Sequence, residues 1–100
     1  MERVRAARRV WRELPLAWYD AGQDRYVEGF VDLAFEEAGG WVLADYKTDA
    51  VPAAAQGGIG LLLERYRPQV DEYRRAAAAT GMQVAACGLW LAADGTLHLW

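Results

Sequence analysis

Three chemistry-bearing residue types are nearly missing from this chain: it holds one cysteine (Cys87), one histidine (His98) and one lysine (Lys47). A lone cysteine excludes an internal disulfide and any all-cysteine zinc or iron-sulfur site built from this chain alone. A reducing, intracellular setting is compatible with that. No apolar stretch follows the arginine-rich beginning, so no signal peptide is expected. Positive charge is not in excess either: eleven Lys and Arg stand against fourteen Asp and Glu, a net charge of -3. The chain as a whole is therefore not a basic nucleic-acid glove, and a polyanion would have to be met by a local patch, by metal ions or by a partner. One patch exists, "MERVRAARRVWRE", with five arginines against two glutamates. Both a solvated face and a phosphate contact are open for it. The uncharged run at residues 76–93 is as long as a membrane span. It contains Thr80, Gly81, Gln83 and Gly88 and changes period midway, which reads as a helix end followed by a buried strand. No Gly-x-x-x-x-Gly-Lys phosphate loop and no internal repeat occurs.

What is present suits one small globular domain: 54% hydrophobic residues, 12% aromatic and 25% charged. Residues 10–19 read as a first strand whose Pro15 marks an edge position or a bulge. Residues 26–37 and 41–48 read as two more strands, joined by a tight turn at Gly39-Gly40. Residues 51–60, rich in glycine and alanine, read as a loop. A helix is expected from near Pro68, since proline is tolerated in a first helical turn, to a stop at Thr80-Gly81. Two strands, residues 83–92 and 96–100, turned at Asp94-Gly95, complete the chain. Three strands, a helix and two strands define an α/β domain with a central mixed β-sheet flanked by helices.

With Gly39 and Gly40 as the turn, Asp32 lies opposite Lys47 and Ala34 opposite Asp45, so Asp32, Asp45 and Lys47 share one face. Val31, Leu33 and Phe35 then meet Ala44 and Tyr46 on the other face, an apolar layer suited to helix packing. Opposed side chains start about 5 Å apart and diagonal ones about 7 to 8 Å, so both carboxylates could reach one small ion with the ammonium beside it. Two converging carboxylates are costly unless a positive charge sits between them, and a hard divalent cation is the natural occupant. Oxygen ligands favour Mg²⁺ or Mn²⁺ over zinc. Beside such an ion, Lys47 could stabilise charge developing on a phosphate or help deprotonate water. An ordinary pKa near about 10.4 favours the electrostatic role. A surface salt bridge across a hairpin, worth under about 1 kcal/mol, is the plain alternative.

The chain resembles the RecB-like nucleases of the PD-(D/E)XK superfamily. Their signature is Gly-x-x-Asp on one strand, Asp-x-Lys on the next and Gln-x-x-x-Tyr on the following helix. Here "GFVD" ends at Asp32, "DYK" spans Asp45, Tyr46 and Lys47, and "QVDEY" runs from Gln69 to Tyr73. "ELP" at Glu13 looks like the Glu-x-Pro strand that precedes them. Within the family the chain looks most like the C-terminal nuclease domain of AddA-type helicase-nuclease subunits, and the absence of a cysteine cluster argues against the iron-sulfur relatives.

The resemblance implies a restriction-endonuclease-like core and a metal-dependent DNA nuclease acting in double-strand-break repair and recombination. It also implies that Asp32, Asp45 and the backbone carbonyl of Tyr46 hold Mg²⁺ or Mn²⁺, with no iron-sulfur cluster, and that Lys47 is catalytic. Gln69 would lie over the active site and position the DNA strand, with Tyr73 one helical turn behind it. Glu13 would assist the metal shell or brace its strand. Family members usually carry a metal-binding histidine on an upstream helix; nothing before Glu13 supplies one, and His98 reads as structural. The expectation is one nuclease domain over residues 1–100, a C-terminal fragment of a larger protein lacking its N-terminal helix. Its expected partners are DNA, a helicase domain of the same full-length chain and a second nuclease subunit, in the bacterial cytoplasm and away from membranes. The alternative is an inactive nuclease-fold module that binds DNA or a partner subunit.

Overall fold

The structure is a computed structural model that describes residues 2–93 and 95–100, and of Val27 the backbone alone. A short helix α1 (Glu2–Arg5) precedes strands β1 (Arg9–Asp20), β2 (Arg25–Glu37) and β3 (Gly40–Lys47). A single 3-10 turn (Ala54–Gln56) leads into the long helix α2 (Gly58–Ala79), followed by β4 (Val84–Leu91) and β5 (Leu97–Leu99). The five strands form one sheet in the order β1-β2-β3-β4-β5. All neighbours are antiparallel except β3 and β4, which run parallel. A parallel pair needs a long crossover, and α2 is that crossover. The mixed α/β sheet expected from the sequence is therefore present, and Pro15 lies on the edge strand β1. Asp94, half of the expected last turn, lies outside the described residues.

Helix α2 begins ten residues before Pro68, where the sequence suggested it would start. Ile59, Leu62, Leu63, Tyr66, Val70, Tyr73, Ala76 and Ala77 all join the core between helix and sheet, at the three- and four-residue spacing of one helical face. Pro68 costs the helix interior one hydrogen bond, about 3 kcal/mol. Burying a leucine such as Leu62 contributes roughly 1.5 to 3 kcal/mol by itself, so the apolar face carries the helix through the proline. The other end is where expected: Thr80 caps the last turn, its Oγ1 donating to Ala77 O at 2.7 Å, and Gly81 takes φ 98°.

The β2–β3 turn is made by Ala38 and Gly39, one residue earlier than expected, and Gly40 pairs with Glu37. Gly40 is demanded by packing: a Cβ there would sit 2.6 Å from Gln83 O, the carbonyl that receives Trp41 N–H at 2.8 Å. The register moves by two, so Ala34 faces Leu43 and not Asp45. Continued one step past the last pair, Leu33 with Ala44, it sets Asp32 across from Asp45 and not Lys47. A two-residue shift preserves the faces, which is why the shared face of Asp32, Asp45 and Lys47 survives.

Two apolar clusters flank the sheet. Ala34, Trp41, Leu43, Cys87, Leu89 and Leu91 pack under α2. Leu33, Phe35, Val42 and Ala44 pack on the opposite side with Val4, Ala7, Trp90, Leu97 and Leu99. The expected helix-facing layer is thus on the side away from α2, and Val31 leaves it to join the α2 side. The inversion falls at Asp32, where pairing with β1 skips Glu13, a residue held at φ 52°. Beyond it β1 and the first half of β2 form a two-stranded arm.

Gly88 tests this packing. A Cβ on it would fall onto the backbone carbonyl of His98, whereas one on Gly39 meets no atom within 4 Å. Urea unfolding is expected to show Gly88→Ala destabilised by about 2 kcal/mol and Gly39→Ala changed by less than about 0.5 kcal/mol.

Candidate active site

The β2–β3 ladder ends at Leu33 and Ala44, and the next backbone donor on β3 is taken by a side chain. Tyr46 N–H donates to Asp32 Oδ2 at 2.8 Å. The twist at Glu13–Asp32 carries β2 away and leaves the Asp32 carboxylate in the fork. Asp45 sits beside it, only 7% exposed. Lys47 Nζ lies 3.1 Å from Asp45 Oδ2, yet among the described residues no donor is aligned on that buried oxygen in hydrogen-bond geometry. An anionic oxygen so placed is costly to leave without a partner.

The electrostatics follow from the crowding. Burial and then the neighbouring Asp32 push the Asp45 carboxyl up to about 6, with Lys47 pulling the other way. Burial works against the Lys47 ammonium, but the Asp45 carboxylate, with Tyr66 and Asp32 behind it, holds the amine above its ordinary value. The pair is one linked unit: loss of either charge destabilises the other.

Asp32, Asp45, Tyr46 and Lys47 therefore come together, as the sequence suggested. Glu13 and Arg12 line an open groove with Asp32, Tyr46 and Trp90, so Glu13 borders Asp32. Gln69 is exposed on α2, and its Nε2 donates to Tyr73 Oη at 3.4 Å. Tyr73 packs on β2: a Cβ on Gly29 would lie 2.9 Å from Tyr73 Oη. The glycine of "GFVD" and the tyrosine of "QVDEY" are thus two sides of one contact. His98 is on β5, beside Thr96 Oγ1, and pairs with Leu89. Cys87 is fully buried, and burial raises its thiol pKa, as suits an inert core residue.

The arginine patch is largely engaged: Arg3 pairs with Glu37 at 2.7 Å, Arg9 with Glu36 at 2.9 Å and Arg5 with Glu2 at 3.5 Å. Two residues escaped the sequence reading. Lys47 Nζ lies 4.4 Å from the centroid of the Tyr66 ring, and Tyr66 Oη donates to Asp49 Oδ2 at 2.8 Å. The alternation Asp45, Lys47, Asp49 and the three-residue step from Tyr66 to Gln69 were the signals that could have found them.

The donor set suits a hard cation: two carboxylates with an oxygen lacking an aligned donor and, among the described residues, no sulfur or imidazole beside them. Among the described residues no group of three or more His, Cys, Asp or Glu side chains converges. Side chains alone therefore offer two ligands. No helix is long and apolar enough to cross a membrane among the described residues.

A mixed-sheet α/β domain with two carboxylates and a lysine at a strand fork is the class that sequence and structure define. No family model matches the chain. Curated relatives do match it, each named as the A-type subunit of an ATP-dependent helicase/nuclease. That of Desulforudis audaxviator is 49% identical over 53 residues, 53% of this chain and 4% of the relative. That of Acetivibrio thermocellus is 40% identical over 77 residues, 76% and 6% respectively. That of Alkaliphilus oremlandii is 35% identical over 103 aligned positions, 90% and 8%. The chain spans only 4 to 8% of the length of these relatives.

The pH response of Asp45 has a definite sign. Unfolded, the carboxyl ionises at its ordinary value near about 3.9; folded, it ionises at about 6. Between these values the folded state keeps a proton that the unfolded state has released, so stability falls as pH rises through the window. With chelator present, wild type is expected to lose roughly 3 kcal/mol relative to Asp45→Asn between about pH 4 and pH 7. Parallel urea-stability curves for the two proteins across that range would refute the assignment.

Proposed function

We propose that this chain is the core of a restriction-endonuclease-like DNA nuclease domain belonging to a longer helicase-nuclease. On this reading it hydrolyses phosphodiester bonds during double-strand-break repair and recombination in the bacterial cytoplasm. The observation that carries the reading is the buried Asp45 oxygen without an aligned donor, set between Asp32 and Lys47. Similarity to proteins named as helicase/nuclease subunits supports the same reading. DNA, a helicase domain of the same full-length chain and a second nuclease subunit are the partners it requires.

Asp32 and Asp45 would hold Mg²⁺ or Mn²⁺ together with the carbonyl of Tyr46. Strand geometry supports the third ligand, because a residue's N–H and C=O leave a strand on the same edge. Tyr46 N–H points to Asp32, whereas Lys47 O points the other way and receives Ala92 N–H at 3.0 Å. When bound, the cation supplies Lewis-acid polarisation of the phosphate and lowers the pKa of a bound water. Lys47, protonated at neutral pH, stabilises negative charge growing on the phosphate oxygens. Its raised pKa sets this role above proton abstraction. Gln69, exposed on the first half-turn after Pro68, orients the strand, and Tyr73 braces Gln69. Glu13 bounds the groove by which the strand meets Asp32.

Single-stranded DNA incubated with the chain and Mg²⁺ or Mn²⁺ is expected to be cut, and chelator is expected to stop it. Lys47→Ala and Asp45→Ala are each expected to lose at least about a hundredfold in rate. Chelator-insensitive cutting, or equal cutting by wild type and Lys47→Ala, would sink the mechanism. Retained DNA binding without cutting in any form would favour the non-catalytic module.

A further inference from the structure

We propose that Tyr66 is the positioning residue for Lys47, itself anchored by Asp49. The inference rests on the reading of Lys47 as the phosphate-stabilising group, and deepens it by naming what aims that group.

A lysine ammonium ends a flexible four-carbon stem with many rotamers open to it. One carboxylate contact leaves it free to swing about that contact. Lys47 has two contacts from different directions: Asp45 Oδ2 at 3.1 Å and the Tyr66 ring face at 4.4 Å. A cation over an aromatic face is attracted to the ring's negative face, which offsets part of the freedom lost. The ring is itself held. Tyr66 packs into the core on α2, and its hydroxyl donates to Asp49 Oδ2 at 2.8 Å.

Asp49 follows Lys47 by two residues and could compete with Asp45 for the ammonium. It is already occupied, since Arg65 Nη1 lies 3.5 Å from the same Oδ2 that receives the tyrosine proton. Tyr66 and Arg65 engage Asp49, while the ring and Asp45 together engage Lys47. An arginine would also stack on the ring, but its planar, delocalised fork presents no compact point charge to aim.

Because Lys47 is the chain's single lysine, [ε-¹³C]lysine labelling yields one side-chain signal, read by NMR without assignment. Its ε-protons are expected upfield of an unstructured lysine in wild type, from the ring current of Tyr66. The displacement is expected to shrink in both Tyr66→Phe and Asp49→Ala, which remove the same anchoring hydrogen bond, and to vanish in Tyr66→Leu, with folding checked by circular dichroism. In DNA cleavage, Tyr66→Leu is expected to lose about tenfold in kcat with KM within about twofold, and Tyr66→Phe to fall between. A wild-type signal at the unstructured position, or one that a folded Tyr66→Leu does not move, would overturn the proposal. Should Tyr66→Leu not fold, a signal indifferent to Asp49→Ala would overturn the anchor. Cutting by no form, with the lysine signal moving as described, would sink the nuclease reading and leave the positioning of Lys47 standing.

Discussion

Strand β3 loses its partner β2 after Ala44, and the rest of the site depends on that parting. Up to Leu33–Ala44 the two strands satisfy each other's backbone groups. At Asp32 the inner and outer faces of β2 exchange, and Glu13 opposite it adopts a left-handed conformation that a non-glycine residue takes only at a cost. A backbone donor would be orphaned at Tyr46 if the Asp32 carboxylate did not receive it. The same fork that needs an acceptor thus creates a place where carboxylates converge, because Asp45 is the residue that register brings alongside.

Electrostatic stress in the fork is contained by the elements around it. Asp45 is buried beside a like charge, and Lys47 relieves only part of that. Helix α2 runs over this face of the sheet and not over the layer that looked suited to it. It thereby places Tyr66 against the lysine and Tyr73 against Gly29. A single amphipathic face covers the core and borders the charged site, so packing and electrostatics are not separable in this domain.

Element types were legible in the sequence because they rest on short-range pattern: alternation in the strands, glycine at the helix end, the small and apolar run that becomes β4. The shared face of Asp32, Asp45 and Lys47 was legible for the same reason, since parity survives a two-residue error in register. The turn itself was misplaced because Gly40 is required by Gln83, a residue far along the chain, and glycine looks alike whichever neighbour demands it. The start of α2 was hidden by Pro68, whose local cost is outweighed by tertiary burial of Leu62 and its neighbours. The face exchange at Asp32 had no signature beyond an unremarkable glutamate opposite it. Tyr66 and Asp49 were missed because their contacts join a strand end to a helix across an intervening loop.

Gly29 and Tyr73 lie in separate motifs, and each motif looks like a chemical signature. Their meeting couples the two positions in one direction: a side chain larger than hydrogen at 29 must displace or shorten the side chain at 73. A side chain at position 29 is therefore tolerated only where the ring at 73 shifts or shrinks, whereas position 73 can become smaller by itself. Part of what reads as a catalytic fingerprint is then a steric lock, and it can persist in a descendant that has given up its chemistry.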